Sequence, residues 1–314
     1  MFEPPRRQLA LILLLLATLT AGCSVRRFAI NMLGDALAGG ASTHATDDDL
    51  ELVGDALPFG LKLIEGLLAE SPDHEGMLLA ACRGFVTYTY IYVQQEAERA
   101  VDLELARSRR LRERTRRLYD RAGRHGRHGL EVAYQGILDR LQIDPEGALT
   151  VVEMKDVPLL YWNAAALGLA ITVAKSDAAM LARIPEVEAM LDRALQLDEA
   201  WDLGSLHEFE VVLEGAKPGA PDYDRIRRHF ERAVELSDGN RASLFVAYAE
   251  SVAVPRQDRR EFRTMLDRAL AIDADVQVEL RLLNLVAQRR ARWLLSRIDE
   301  LILAVDAPSE GGDS

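Results

Sequence analysis

Hydrophobic residues recur every three or four positions through most of the chain after residue 50. This spacing places them on one face of an α-helix. Glycine and proline cluster in short segments between these stretches, for example in "AESPDHEG", "EGAKPGAPD" and "VAVPRQD", where helices are expected to end. A half-buried strand alternates apolar and polar residues instead, and the sequence has no long alternating stretch. The pattern therefore predicts an all-α fold.

One short segment, "YTYIYV" at residues 88–93, alternates residue types that favour strands. Its flanks, "MLLAACRGF" and "QQEAERA", are rich in helix-forming residues. Phe85, Tyr88 and Tyr92 also fall on one helical stripe. We therefore predict that this segment continues a helix.

Similar segments repeat along the chain. "MLDRALQLD" begins at Met190, "HFERAVELS" at His229 and "MLDRALAID" at Met265, so the offsets are 39 and 36 residues. Weaker copies are "RLYDRAGRH", from Arg117, and "LIEGLLAESPD", from Leu63. A period of this length built from helix pairs is typical of tetratricopeptide-like solenoids.

An alanine recurs at one position of the clearer copies: Ala122, Ala194, Ala233 and Ala269. Its small side chain lets the second helix of a pair approach its neighbour closely, while the flanking Leu or Phe fills the groove. The Trp and Leu-Gly of the first helix in the tetratricopeptide consensus are mostly missing, so the copies are degenerate. We predict a degenerate tetratricopeptide-like solenoid of helical hairpins, closed by one long C-terminal helix at roughly residues 276–303.

The amino terminus has the pattern of an export signal. Arg6 and Arg7 precede an apolar run of 14 residues, from Leu9 to Gly22. As a helix this run is about 21 Å long, which is short of the roughly 30 Å of a bilayer core. A basic start, a short apolar run and small residues at its end are typical of a secretory signal peptide.

Cys23 follows this run directly, and "LTAGC" resembles the lipobox of bacterial lipoproteins, with Thr20 where leucine is usual. The resemblance implies that Cys23 receives a diacylglycerol and becomes the new N-terminus. The alternative is an ordinary signal peptide with an accidental cysteine. Two or more acyl chains form a lasting anchor, which one chain does not. Ser24, in place of an aspartate, favours the outer membrane.

These patterns divide the chain into four parts. We predict a lipoprotein signal peptide at residues 1–22, a lipid-anchored segment at 23–46, a helical domain at 47–305 and a disordered tail at 306–314. The formal net charge is −12, and loss of one acid and two bases with residues 1–22 makes it −13. An acidic chain of this kind does not favour nucleic acid.

Residues 107–127 are a local exception, with ten arginines. We interpret them as the solvated faces of two helices, with a patch for an acidic partner as the alternative. Beyond Cys23, the sequence has one cysteine, Cys82, so an internal disulfide cannot form in the mature chain. Its apolar neighbours predict a buried side chain.

Candidate chemistry is sparse. His125 and His128 in "GRHGRHG" are two possible metal ligands beside glycines that indicate a turn, whereas a structural zinc needs four ligands. His207 and Glu208 are adjacent and point to different helix faces. The sequence has no phosphate-binding loop and no nucleophile elbow. We therefore predict a protein that is not an enzyme and uses neither a cofactor nor a metal.

Aromatic residues provide the best candidate for a ligand or partner surface, because Tyr and Trp combine an apolar body with a polar group. The glutamines that follow the tyrosine stripe can supply hydrogen bonds. The alternative is that these rings simply pack in the core. The candidate residues are Tyr88, Tyr92, Gln94, Gln95, Tyr161, Trp162 and Trp201, with Tyr90 between the first two.

Four segments carry a resemblance to a known family: residues 47–98, residues 157–168 with "VPLLYWNAAALG", residues 282–301, and the short "INMLGDAL". Together they are similar to the T-component lipoproteins of TRAP transporters, the tripartite ATP-independent periplasmic transport systems. The resemblance implies an all-helical tetratricopeptide-like lipoprotein that forms a homotrimer. It also implies docking of a soluble solute-binding P-component and a cavity for small ligands, apolar ones included.

The predicted function is therefore that of a periplasm-facing lipoprotein of a TRAP-type system, which binds a small solute and docks a P-component. The alternative is a tetratricopeptide scaffold lipoprotein for assembly of outer-membrane or other envelope complexes. A third possibility, an envelope hydrolase, requires acid–base residues that converge in a cleft.

Overall fold

The computed structural model describes residues 30–37, 39, 45–101 and 103–303. The predicted signal peptide, Cys23 and the predicted C-terminal tail lie outside these residues. Within them, all regular secondary structure is helical, which confirms the predicted all-α class.

Besides the helical residues 30–37, the structure contains a succession of helices. The α-helices are α1 (Leu50–Leu68), α2 (Glu75–Tyr88), α3 (Gln95–Arg99), α4 (Leu105–Ala133), α5 (Ile137–Ile143), α6 (Pro145–Leu149), α7 (Val157–Val173), α8 (Ala178–Leu181), α9 (Ile184–Leu197), α10 (Ser205–Ala216), α11 (Tyr223–Leu236), α12 (Ala242–Tyr248), α13 (Arg259–Ala271), α14 (Arg281–Ser296) and α15 (Ile298–Leu301). Short 3₁₀-helices span Met154–Asp156, Trp201–Gly204 and Val278–Leu280.

The tyrosine-rich segment is helical, as predicted, but in the wider π form. Residues Thr89–Gln94 make a π-helix that joins α2 to α3 without an intervening loop. A second π-helix, Ala249–Ala253, extends α12. π-Helical turns are rare and occur often at functional sites. Both segments are therefore candidate positions for a functional site.

The arginine-rich segment is a single helix, so the prediction of two helices was wrong. α4 is 29 residues long and includes the glycines that were expected to form a turn. An added Cβ at Gly126 would lie 2.5 Å from Asn163 Oδ1, and one at Gly129 would lie 3.1 Å from Leu159 Cδ1. Both neighbours belong to α7, so these glycines allow α4 and α7 to pack closely, and this packing outweighs their low helix propensity.

The predicted long C-terminal helix is shorter and interrupted. α14 ends at Ser296, and α15 follows after a break at Arg297. Ile298 and Ile302 lie buried in the core beyond that break. Burial of these two side chains accompanies the break in the helix, which the spacing of apolar residues alone did not predict.

The core consists of two main clusters of buried side chains, one spanning α1 to α10 and the other spanning α10 to α15. α7 lies in the first, in contact with α4 and α9. The stretch Met154–Val173 is long and apolar enough to cross a membrane by length and composition, but most of it is buried in the protein. A helix that is apolar all round is expected in such a position. Cys82 is fully buried, as predicted.

Consecutive long helices pack in pairs: α2 with α4, α7 with α9, α10 with α11, and α12 with α13. The second helix of each pair carries the repeated alanine, and all four alanines are fully buried. α14 then packs on α12 and α13 and also contacts α1. The first and last long helices of the described chain therefore meet.

Two buried amides of α14 hold the preceding pair in place. Asn284 accepts from the Ala242 N–H at 2.9 Å and donates to the Asn240 carbonyl at 2.9 Å, at the start of α12. Gln288 donates to the Ile272 carbonyl at 2.6 Å, at the end of α13. Helix ends have unsatisfied backbone groups, and these side chains satisfy some of them inside the protein.

Candidate functional site

Arg290 on α14 connects two distant parts of the chain. Its guanidinium lies 2.5 Å from Glu98 Oε2 on α3 and 2.6 Å from Glu250 Oε1 in the second π-helix. Burial by itself lowers the pKa of Arg290, but Glu250 and Glu98 raise it well above its usual value. Arg290 is therefore a fixed cation where α14 meets the first helices.

Tyr90, in the first π-helix, lies beside this ion pair and is half-buried. Burial raises the pKa of its hydroxyl, and the nearby carboxylates of Glu250, Glu208 and Glu98 raise it further. The hydroxyl therefore stays protonated and can donate a hydrogen bond.

Glu208 on α10 connects this region to Tyr161 on α7. Burial raises the pKa of Tyr161, and Glu208 is the strongest of the charges that raise it further. Glu208 Oε2 also lies 3.3 Å from Arg241 Nη1, and Arg241 is only 2% exposed. The charge of Glu208 thus acts on the hydroxyls of two tyrosines from distant segments.

Arg241 also fixes an unusual turn before α10. Its Nη2 donates to the Asp202 carbonyl, and Asp202 and Leu203 both have left-handed backbone conformations, with φ of 47° and 55°. Gly204 follows with φ 86°, and a Cβ there would lie 3.1 Å from the Ala233 Cα. Left-handed leucine is rare, so the buried arginine stabilises a strained turn, as found at many functional sites.

This turn positions one of the predicted aromatic residues. Trp201 lies 4.8 Å from Tyr161, measured between ring centroids, and Trp162 lies 5.0 Å from Tyr161 in an edge-on contact. Phe209 adds a further ring at 6.1 Å. Tyr161, Trp162 and Trp201 are therefore brought together, and each is half-buried.

The predicted residues of α2 and the first π-helix lie elsewhere. Tyr88 and Tyr92 stack on each other at 5.8 Å and pack against a small cluster formed by α1 and α14. Tyr92 donates to the Leu50 carbonyl at 2.8 Å, and Tyr88 accepts from Arg114 at 3.0 Å. Their hydroxyls are engaged within the protein, which is the geometry of packing residues.

The two glutamines are also engaged. Gln94 accepts from the Tyr119 hydroxyl at 2.6 Å and donates to Glu98 at 3.1 Å. Gln95 is buried, and its carbonyl oxygen accepts from Arg99 at 3.2 Å. A ligand role for Gln94 requires these contacts to exchange, whereas Gln95 Nε2 is buried without a hydrogen-bond partner among the described residues. Both ligand roles stay predictions.

Residues from the two π-helices, from α3, α7, α10 and α14, and from the N-cap of α12 converge in what we call the polar wall. Sequence reasoning included Tyr90 and Tyr161 but missed the charged members, since ion pairs between distant segments leave no local pattern. One available signal was that Arg290 lies off the helix face shared by Arg289 and Arg292. The polar wall consists of Tyr90, Glu98, Tyr161, Glu208, Arg241, Glu250 and Arg290.

The histidines have partners other than a metal. His125 lies 3.1 Å from Glu65, and His128 lies 2.8 Å from Asp73. His207 Nδ1 lies 2.8 Å from His229 Nδ1, and His207 Nε2 lies 3.2 Å from Glu199. Across the described ranges, no group of three or more His, Cys, Asp or Glu side chains is arranged to hold a metal ion.

The polar wall and the helices that form it lie in a region shared with known proteins. The family model for the TRAP transporter T-component matches residues 46–302. An uncharacterized protein of Treponema pallidum (strain Nichols) is 29% identical over 305 residues, which cover 91% of this chain and 94% of that protein. The chain therefore belongs to the TRAP transporter T-component family, and it is a component of a transport system of the cell envelope.

Proposed function

We propose that this T-component is a non-enzymatic lipoprotein that binds a small solute at the polar wall and docks a solute-binding P-component. Acyl chains on Cys23 anchor it to the periplasmic side of the envelope, at the outer membrane. Three copies assemble as a homotrimer around one axis, which brings three solute sites together.

The observation that best supports a solute site is the convergence of tyrosine hydroxyls with fixed charges. Tyr90 and Tyr161 are half-buried, and both lie near the carboxylate of Glu208. Trp162 and Trp201 border Tyr161 with apolar ring surface. Binding sites for small molecules commonly combine apolar walls with a few placed polar groups, and this region has both.

The family match supports the proposed docking of a solute-binding P-component. A T-component belongs to a system whose other parts handle a solute, and the polar wall gives this chain a means to hold that solute during transfer. Tyr88 and Gln95 flank the first π-helix and Tyr92 and Gln94 belong to it. These four residues are proposed to position the π-helix rather than to contact the solute first.

A pull-down from envelope extracts with the full chain tests the partner. The expected result is recovery of a solute-binding protein of the TRAP type. Recovery of outer-membrane assembly proteins without any solute-binding protein would contradict the proposal and favour the scaffold alternative.

Conservative tyrosine variants test the site. Tyr90→Phe and Tyr161→Phe remove one hydroxyl each and keep the ring, so folding should be retained. We expect each variant to weaken capture of the P-component loaded with its co-purified solute at least fivefold. Tyr223→Phe is the matched control, because Tyr223 lies on α11, away from the polar wall, under Arg256. Equal capture by all three variants would refute the solute site.

A further inference from the structure

A cavity of about 630 Å³ lies between α4, α7 and α9, away from the polar wall. Its floor is apolar and includes Ala166, Leu167 and Ala170 of α7. Leu138 and Met180 contribute further apolar surface at its sides. The volume is in the range of sites that bind small molecules, and none of the lining residues belongs to the polar wall.

The acidic groups at the edge of the cavity are already engaged. Asp120 pairs with Arg116 at 3.4 Å, and Glu186 pairs with Arg183 at 2.8 Å. Glu131 accepts from the backbone N–H of Gly136 at 2.6 Å and from that of Leu138 at 3.3 Å. Within the described residues these three carboxylates therefore make no ion pair with Arg124 or Arg127.

Two arginines at the same edge lack such a partner. Arg124 and Arg127 line the cavity and make no ion pair or hydrogen bond within the described part of the chain. Arg127 is half-buried. Guanidinium groups bind carboxylate and phosphate groups strongly, so the edge of the cavity carries two cations that an anionic group can satisfy.

Gly123 provides an independent observation. It lines the cavity within α4, and an added Cβ would meet no atom within 4 Å. Glycine lowers helix stability relative to alanine, and close packing accounts for Gly126 and Gly129 but not for Gly123. A side chain at residue 123 would extend into the cavity, so the glycine keeps it open.

From this combination we propose that the cavity binds a single-chain amphiphile with an anionic head group. The head group, a carboxylate or a phosphate, pairs with Arg124 and Arg127. The apolar chain lies on Ala166, Leu167 and Ala170, where its removal from water provides the driving force. This site goes beyond the proposed solute site, and its occupancy does not depend on the P-component.

Calorimetric titration of the full chain in phosphatidylcholine nanodiscs, with empty nanodiscs as background, tests the ligand class. The probes are octanoate, octyl phosphate, neutral octanol and the chainless anion acetate. We expect at least one of the two charged octyl probes to bind tenfold more tightly than octanol and acetate, and their order identifies the head group. Binding of octanol as tight as that of both anions, or no binding above background, would overturn the proposal.

Two variants test the location. Gly123→Met fills the cavity and should weaken binding of the preferred anion at least tenfold without lowering the melting temperature. Arg127→Gln should weaken that anion tenfold and leave octanol unchanged. The control for Gly123→Met is Gly66→Met on the exposed face of α1, where an added Cβ also meets no atom within 4 Å. The control for Arg127→Gln is Arg112→Gln, at an exposed arginine of α4 outside the cavity lining. Both controls should bind within twofold of the unchanged chain.

Wild-type binding by a folded Gly123→Met protein would place the ligand elsewhere and overturn the proposal. If Gly123→Met does not fold, Arg127→Gln decides alone: unchanged binding of the anion refutes the site. Loss of P-component capture in the Tyr90 and Tyr161 variants is a separate result, because those residues do not line this cavity.

Discussion

Glu65 shows how a single side chain on α1 joins two elements. It accepts from Lys62 at 2.8 Å on its own helix, and from Arg121 and His125 on α4. Burial by itself raises the pKa of Glu65, but these hydrogen bonds lower it to about 2. The sequence spacing offered no reason to pair residue 65 with residues 121 and 125, because they are brought together by the packing of α1 and α4 on α2.

Acid should therefore weaken the packing of α1 on α4. Since the folded-state pKa of Glu65 lies below the ordinary value of 4.5, its contribution is fully present above pH 4.5 and is lost as the pH falls towards 2. Glu65→Gln should lower the free energy of unfolding at pH 7 by about 1–3 kcal/mol and reduce the loss of stability in that pH window. Urea unfolding at several pH values measures both. Glu231→Gln, at an exposed position of α11, is the control; equal effects of the two variants would refute the assignment.

The His207–His229 contact responds to pH in a different way. Two Nδ1 atoms 2.8 Å apart require one hydrogen between them, and His207 Nε2 faces Glu199 at 3.2 Å. Burial and the neighbouring His207 lower the pKa of His229 to about 4, and burial also lowers that of His207. Arg225 and Arg228 act in the same direction on His229, whereas Glu214 opposes them.

For this pair the unfolded chain takes up protons first, because its histidine pKa of about 6.5 exceeds the folded values. Stability should therefore fall as the pH decreases from 6.5 to 4. An NMR titration should give a midpoint near pH 4 for His229, and His229→Gln should remove part of the pH dependence of unfolding. His128→Gln, at an exposed histidine, should leave it unchanged. A midpoint near 6.5 for His229 would contradict the contact.

At the scale of elements, the glycines of α4 are informative because they lie on one helix yet have different surroundings. Gly126 and Gly129 contact α7 closely, whereas Gly123 faces open space. The sequence "GRHGRHG" looks like a turn from composition, since glycine disfavours helices. Only the position of α7 shows that two of these glycines stabilise a helix–helix contact.

The same substitution should consequently have opposite effects three residues apart. Gly123→Ala should raise the free energy of unfolding by about 0.5–1 kcal/mol, because alanine favours the helix. Gly126→Ala should lower it by about 1–3 kcal/mol, because its Cβ displaces the buried Asn163 side chain. Chemical denaturation of both variants measures the difference. If both raise or both lower stability by similar amounts, the packing of α4 on α7 is not as described.

At the scale of the whole molecule, Arg290 connects the end of the fold to its beginning. It pairs with Glu98 of α3, while Arg281 near the start of α14 donates to the Thr46 carbonyl at 3.1 Å. Leu282 packs with Val53 and Leu57 of α1. α14 therefore stabilises the amino-terminal helices as well as the pair that precedes it.

Removal of this connection should affect both ends of the fold. Arg290→Gln leaves Glu98 and Glu250 without their shared cation, and should lower the free energy of unfolding by about 1.5–3 kcal/mol. Hydrogen exchange should accelerate in α1, α3 and α14 and change little in α9. Arg292→Gln, at an exposed arginine two residues further along α14, should have no comparable effect. Faster exchange confined to α14 would show that the contact with α3 contributes little.

The sequence by itself determined the helical class, the burial of Cys82 and the family, because apolar spacing and motif similarity are local properties of the chain. It also marked Tyr161, Trp162 and Trp201, which the fold brings together. It did not reveal the charged members of the polar wall, the formation of α4 as one continuous helix or the break after α14. Those features depend on which helices come into contact, and side chains from residues 90 to 290 converge only when α14 packs against the amino-terminal helices. The tertiary structure decided them because desolvation and ion pairing act between neighbours in space, whatever their separation along the chain.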